Sequence, residues 1–257
     1  MKPEFKYIYG PVPSWRLGSS LGIDLISQGN KICSFDCIYC QLGKTLLFSD
    51  ERKVFVPVSK IIEELDSLPP VKIDYITFSG AGEPTIAENL GDAIRAVKRI
   101  RKNKIAVLTN SSLLHREDVQ KDLLLADLVA VKLDACSQEV FEVINRPLKS
   151  IYFKNIVFAI KKFKNIYQGK LALQVMFIKE NKKYAKEIAK IIREINPEEV
   201  QINTPLRLCR VKPLPKGELT GIKKYFEGLP AVSVYEASKK DIKPISNKDT
   251  LARRGKV

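Results

Sequence analysis

The residue types with the most chemistry in this chain are three thiols in the run Cys33-Ser-Phe-Asp-Cys37-Ile-Tyr39-Cys40. Thiolates this closely spaced sit on one loop and can cap three irons of a cubane iron–sulfur cluster, whose usual complement is four cysteines. One iron is then left open, and an open coordination position marks a reactive metal site, as it does in catalytic zinc. A soft thiolate set favours iron–sulfur or zinc, and a zinc knuckle needs a second closely spaced pair, which the remaining Cys136 and Cys209 do not form. On this pattern alone a plain electron-transfer cluster, completed by Cys136 or Cys209, stays open as a second reading.

The rest of the composition narrows the setting. A chain of 257 residues that is 45% hydrophobic predicts one well-buried α/β core with a modest extension. Met1 to Gly10 mixes Lys2, Glu4 and Lys6 with aromatics and lacks the apolar stretch of a signal peptide. No apolar run approaches the length that spans a bilayer. The expectation is therefore a cytoplasmic protein, in which five cysteines point to metal or redox chemistry before disulfides. His115 is the single histidine; it reads as a helix-start residue and argues against a histidine-rich metal site or a Cys–His nucleophile. Of the net charge of +15, residues 206–257 contribute +8, from 13 Lys and Arg against 5 Asp and Glu. Such a bias suits a polyanion such as RNA, and it equally suits the lysine-rich surface of a heat-adapted protein.

The thiols need a scaffold, and the remainder of the chain supplies one. Short β-branched runs alternate with longer amphipathic segments, the pattern of a parallel sheet with crossover helices. Strands are predicted over Ser20–Ile26, Ile73–Ser79, Lys104–Thr109, Leu128–Leu133, Lys170–Ile178 and Glu199–Asn203. Helices are predicted over Ser59–Leu68, Glu88–Arg101, His115–Leu125, Ser150–Phe163 and Lys182–Ile195, with a short one over Ser137–Asn145 closed by Pro147. Strands apolar at nearly every position fit a sheet covered on both faces, and right-handed crossovers curve it. The fold class is thus α/β, a partial (β/α)6 TIM-like barrel over residues 1–205. A basic C-terminal extension, 206–257, carries a helical Leu219–Phe226 and a strand Ala231–Tyr235. In such sheets chemistry gathers at the C-terminal ends of the strands, which is where Ser79–Thr85, Thr109–Ser112, Asp134 and Asn203–Arg207 fall.

The cysteine run, with aromatic Tyr39 just before the last thiol, resembles the signature of the radical S-adenosylmethionine superfamily. The resemblance implies a [4Fe-4S] cluster on Cys33, Cys37 and Cys40, and S-adenosyl-L-methionine chelated at the open iron. Reductive cleavage of its sulfonium would give a 5′-deoxyadenosyl radical. Ser79-Gly80-Ala81-Gly82-Glu83-Pro84 is similar to the superfamily's glycine-rich motif for the methionine end of the cofactor. Glycine there lets backbone approach a ligand closely. Asn110 and Asp134 end strands where family members place polar groups against the cofactor's carboxylate and ribose; helix capping explains the same residue types. Gln174 and Met176, and Gln201 and Asn203, are expected to face the barrel interior, with Gln174 and Asn203 as further cofactor contacts and Met176 as packing. Cys136, two residues beyond Asp134, is the candidate for a redox or radical role, against the alternative of a small buried hydrophobe.

A closer resemblance covers residues 10–214. The stretch Gly10-Pro-Val-Pro-Ser-Trp15-Arg16-Leu-Gly18-Ser-Ser-Leu-Gly22-Ile-Asp24 looks like the opening of a small subgroup of that superfamily near the wyosine-type tRNA-modifying enzymes. Asp134 with Phe141, Asn145-Arg146-Pro147 and Asn203-Thr204-Pro205 also fit it. The chain departs from those enzymes in lacking a further N-terminal cysteine set. Arg16 suits recognition of a phosphate or carboxylate, and a Pro-rich packing arm suits the same segment. The leading expectation is an enzyme that turns the radical on a substrate, an RNA base being one such substrate, with the basic C-terminus holding the polyanion. A protein or peptide modifier such as a glycyl-radical activase is the second expectation, and a non-catalytic iron–sulfur carrier or sensor the third. The implied partner is a flavodoxin- or ferredoxin-type reductant.

Overall fold

Along the central strands, large aliphatic residues alternate with small or polar ones, and this parity decides what the sheet does on each side. In the computed structural model, which describes residues 5–237 and 242–254, the strands are Ile8–Ser14 (β1), Gly18–Ile23 (β2), Ile32–Cys33 (β3), Leu47–Phe48 (β4), Tyr75–Phe78 (β5), Lys104–Thr109 (β6), Leu128–Lys132 (β7), Lys170–Met176 (β8), Glu199–Asn203 (β9) and Ala231–Ser233 (β10). The helices are Val58–Asp66 (α1), Leu90–Ile100 (α2), Glu117–Leu123 (α3), Gln138–Asn145 (α4), Phe153–Ile166 (α5), Ala185–Ile195 (α6), Lys216–Lys223 (α7) and Asn247–Arg254 (α8). One eight-stranded sheet runs in the order β1-β2-β5-β6-β7-β8-β9-β10, and β3 and β4 form a separate two-stranded ribbon. From β2 onward every neighbour in the large sheet is parallel.

Ile105, Val107, Val129, Val131, Leu171, Leu173, Val175, Val200 and Ile202 join the helices in the main apolar core. The intervening residues face the other way, where Ala106, Leu128, Ala130 and Ala172 pack with Leu17 in a small second cluster. Side chains this short leave the curved sheet hollow above them. Higher along the same faces stand Lys132, Gln174, Met176 and Asn203, which line the resulting cavity. The α/β partial barrel expected from the sequence is therefore the observed fold, and its parity places Gln174 and Asn203 inward.

The sheet is wider than the six strands expected. Ile8–Ser14 pairs antiparallel with β2 despite containing Pro11 and Pro13, with a register irregularity between Tyr9 and Val12. Proline is tolerated there because an edge strand does not need every amide for its ladder. The first predicted strand begins two residues earlier than expected and stops at Ile23. The Asp24 carboxylate accepts the amides of Ile26 at 3.0 Å and Ala81 at 3.1 Å, turning the chain out of the sheet. β8 stops at Met176, since the Asn181 side chain takes the Met176 carbonyl and the Ile178 amide.

At the far edge, β10 adds in parallel to β9. Residues beyond it return to the opposite edge: the Ile245 amide donates to the Gly10 carbonyl at 2.7 Å, and the Gly10 amide donates to Thr250 Oγ1 at 3.1 Å. The C-terminal part of the chain thus touches both margins of the open sheet. No helix among the described residues is long and apolar enough to cross a membrane.

The segment joining the cysteine loop to α1 is fixed by Arg52, whose side chain is 5% exposed. Its guanidinium donates to the carbonyls of Thr85 and Ala87, and it pairs with Asp118 at 2.8 Å and with Asp122. Removing one partner of a buried ion pair leaves the others unsatisfied. Arg52→Leu is expected to cost about 3 kcal/mol, read as a lower urea midpoint at unchanged slope.

Candidate active site

The cysteine loop has little regular structure of its own and takes its shape from two neighbours. On one side lies the glycine loop after β5. The Ile32 amide donates to the Ala81 carbonyl at 3.2 Å, and the Glu83 amide donates to the Ile32 carbonyl at 3.2 Å. Between them is Gly82, where a Cβ would lie 1.8 Å from the Ile32 oxygen. At Gly80, with φ of +150°, a Cβ would strike the Asp24 carboxyl. Both glycines are therefore required by the protein's own backbone and side chains, before any ligand is considered.

On the other side lies the C-terminus of α4. Arg146 adopts the left-handed conformation there, with φ of 45°. The terminal carbonyls turn outward: those of Asn145 and Arg146 accept the Asp36 amide, each at 3.1 Å, and that of Ile144 accepts the Ile38 amide at 3.0 Å. The Leu148 amide returns a bond to the Ser34 carbonyl at 3.0 Å. Beneath this contact Phe35 packs edge-on against Phe141, with ring centroids 5.2 Å apart. Asn145-Arg146-Pro147 and Phe141, quoted above only as marks of a subgroup, are thus the seat of the thiol loop.

Held this way, Cys33, Cys37 and Cys40 line one cavity of about 540 Å³ together with Tyr39, Gly80 and Gly82. Glu83, Asn110, Gln174 and Asn203 line it too. Two side-chain amides point at sulfur: Asn110 Nδ2 is 3.6 Å from Cys33 Sγ, and Asn145 Nδ2 is 3.4 Å from Cys37 Sγ. Lys31 stands beside Cys40 and Cys33, and despite its partial burial its pKa is raised by them. The recess lies deep in the fold, so burial pushes the thiol of Cys33 up to about 12 and that of Cys37 up to about 11. Nearby Glu83 adds to the first shift and Asp134 to the second. Thiols so reluctant to ionise alone become good ligands only when a cation compensates them.

Glu83 is fully enclosed. Its carboxylate accepts the Thr109 hydroxyl at 2.6 Å, the Asn110 amide at 2.6 Å, and the Thr85 hydroxyl and amide at 2.7 and 3.1 Å. Burial raises its pKa, and these four donors oppose the shift. Glu83 thereby locks the ends of β5 and β6 together and aims Asn110 at Cys33.

Asp134 does not line the cavity. It stands behind Tyr39, accepting the Tyr39 hydroxyl, Asn145 Nδ2 at 2.9 Å and the Met176 amide at 2.7 Å. Lys132 Nζ lies 3.5 Å from Oδ1, the oxygen that accepts the Met176 amide, and 4.9 Å from the Tyr39 ring centroid. These contacts are all with neighbouring residues of the site. Cys136 is also absent from the cavity wall, because the chain leaves β7 and turns at Ser137, whose hydroxyl accepts the Val140 amide as the cap of α4. Cys209 donates to the Val211 carbonyl at 3.2 Å and likewise lies outside the lining. His115 precedes α3, with its ring at 3.1 Å from the Ser112 carbonyl.

Lys132, Arg207 and Trp15 line the cavity without having been singled out as contacts. Their signal was strand parity for Lys132 and position just past a strand end for Arg207; Trp15 carried none. The basic C-terminal residues are partly neutralised within the fold. Lys223 pairs with Glu236 at 2.7 Å, and Arg210 lies 3.7 Å from Asp36. Lys239, Lys240 and Lys256 lie outside the described residues.

The family model for the radical SAM superfamily matches residues 29–192, and the chain belongs to that superfamily of enzymes. Its relatives include UPF0026 proteins. One from Synechocystis sp. is 40% identical over 222 residues, spanning 86% of this chain and 82% of its own length. Another from Methanocaldococcus jannaschii is 40% identical over 207 residues, 77% of this chain, which spans 63% of that relative. Among solved structures, TYW1 with a lysine–pyruvate adduct bound aligns with a TM-score of 0.63 at 14% identity, covering 83% of this chain and 75% of that one. At that identity the likeness is one of fold.

Two outcomes follow from this geometry. Gly82→Ala forces the Ile32 carbonyl away and should destabilise the chain by about 1–3 kcal/mol, as overpacking does, measured by urea denaturation. In the metal-free chain at pH 8, Cys33 and Cys37 lie far below their raised pKa values and are almost wholly thiol. Iodoacetamide should label Cys37 on the order of a hundredfold and Cys33 on the order of a thousandfold more slowly than an exposed cysteine, and raising the pH toward 11 should close the gap at Cys37 first, as followed by peptide mass spectrometry.

Proposed function

We propose that this enzyme binds a [4Fe-4S] cluster through Cys33, Cys37 and Cys40 and cleaves S-adenosylmethionine reductively to modify a substrate held in the barrel. The observation that carries this reading is the meeting of three thiols from one short loop on a single cavity wall, with neither Cys136 nor Cys209 there to act as a fourth ligand. When bound, the two cofactors supply one-electron cleavage of a sulfonium to a 5′-deoxyadenosyl radical. Everything else is the work of the chain. The amides of Asn110 and Asn145 donate toward two of the sulfurs, which stabilises added negative charge and tunes the potential. Asp134 and Asn145 fix the Tyr39 ring, which closes one side of the cavity. Gly80 and Gly82 keep the adjoining wall thin, with Glu83 as its anchor. Gln174 and Asn203 offer hydrogen bonds from the inner sheet face, while Leu108, Ala130 and Met176 give it apolar surface that excludes water from a reactive intermediate.

A flavodoxin- or ferredoxin-type protein is the reductant this chemistry calls for. An RNA base and a protein side chain both remain substrates to be tested against a small molecule, and co-purification under anaerobic conditions separates them.

Anaerobic reconstitution with iron and sulfide should give a [4Fe-4S] absorption and, after dithionite, an electron paramagnetic resonance signal that changes when S-adenosylmethionine is added. 5′-Deoxyadenosine and methionine should then accumulate. Cys37→Ala should lose the full-strength cluster spectrum; a variant that kept it would overturn the ligand assignment, and a wild-type protein making no 5′-deoxyadenosine would overturn the reaction.

A further inference from the structure

Arg16 sits in the turn between β1 and β2, so it enters the barrel from the edge opposite the one on which the cysteine loop follows β2. Its side chain reaches the cavity, and Nη1 donates to Gln201 Oε1 at 3.3 Å. Gln201 is fully buried, on the same face of β9 as Asn203. Arg16 Nε is buried with no hydrogen-bond partner, and among the described residues no carboxylate lies within ion-pair distance of the guanidinium. The acid that acts on it, Glu199, is engaged by Lys170 and accepts Gln201 Nε2 at 2.7 Å.

A second guanidinium comes to the same space. Arg207, in the loop after β9, lines the cavity and donates to Gln41 Oε1 at 2.9 Å. Burial first, and then the Arg207 cation, hold Arg16 down at about 10. A buried guanidinium with an unmet donor, facing another cation, is strongly unfavourable unless an anion completes it. A planar fork of this kind matches carboxylate and phosphate oxygens. Around it, Ala130 and Leu108 keep the cavity roomy, and about 540 Å³ is in the range that encloses a small organic molecule.

We propose that Arg16, backed by Gln201 and faced by Arg207, anchors a carboxylate or phosphate group of a small-molecule substrate in the depth of the barrel. This rests on the reading that the cavity is where substrate meets the cofactors. Arg16 approaches from the end of the barrel away from the thiol loop and Arg207 from the side of that loop, through Gln41, so the anion they share lies between the two ends.

Trp15 is the only tryptophan in the chain, and its ring lies 5.7 Å from the Arg16 guanidinium carbon. Its fluorescence therefore reports the site directly. The cluster-reconstituted chain is titrated anaerobically with inorganic phosphate and with acetate, at constant ionic strength made up with chloride. The expected result is a saturable change with at least one of the two probes, the more effective one identifying phosphate or carboxylate as the group recognised. Arg16→Gln should weaken that probe by about tenfold or more, with Arg16→Lys in between because the charge survives without the fork. Should Arg16→Gln fail to fold by circular dichroism, Arg207→Gln carries the comparison, with several-fold weakening expected. No saturable change with either probe, or an unaltered constant in the folded variant, overturns the proposal. So does displacement of the probe by S-adenosylmethionine, which would assign the site to the cofactor's own carboxylate. Formation of 5′-deoxyadenosine by the wild type is scored separately. A chain that cleaves the cofactor but binds neither probe loses the anion site alone, and one that binds a probe through Arg16 but never cleaves loses only the radical chemistry.

Discussion

The passage of the Ile32 carbonyl across Gly82 is the contact on which the site depends. It brings two backbone segments from different strand ends into hydrogen-bonding distance, and no residue with a Cβ fits between them. The thiol loop gains a second hold from the out-turned carbonyls of α4, so its amides are tied to elements far away in the chain. The loop's spacing of sulfurs is thus an imposed geometry. Its own sequence provides the thiols, while the glycine loop and the α4 terminus determine where they stand.

This division explains what could be read beforehand. The strands β6 to β9 were legible as near-continuous apolar runs, and Gln174 and Asn203 were expected inward as polar residues within two of them. The alternation of large and small side chains that gives the sheet a hollow face emerges only in the fold. The thiols were legible because soft ligands at short spacing have few other uses in a reducing compartment. The antiparallel edge strand was not, because Pro11 and Pro13 suppress the usual signal and only its edge position makes them acceptable. The partners of Asp134 were not legible either. Position at a strand end is shared by residues that touch ligands and by residues that brace their neighbours, and only the folded arrangement shows Tyr39, Asn145 and the Met176 amide converging on it.

That convergence also shows how a charged group can serve inside a barrel without facing its cavity. Asp134 is enclosed, receives three hydrogen bonds and has Lys132 close by. Its negative charge is spent on holding Tyr39 and Asn145 in one orientation, and Asn145 transmits that order to Cys37. Glu83 does the same for Asn110 and Cys33 on the opposite side of the loop. Two buried carboxylates, each acting through an asparagine, brace two of the three thiols.

The link from Gly10 to Thr250 joins positions 240 residues apart and lies at the margin opposite β10. During synthesis this seam is necessarily one of the last parts of the described fold to close. Until then the β1 margin lacks the cover that Ile245 and Thr250 provide, so the strand synthesised first is among the last to be completed.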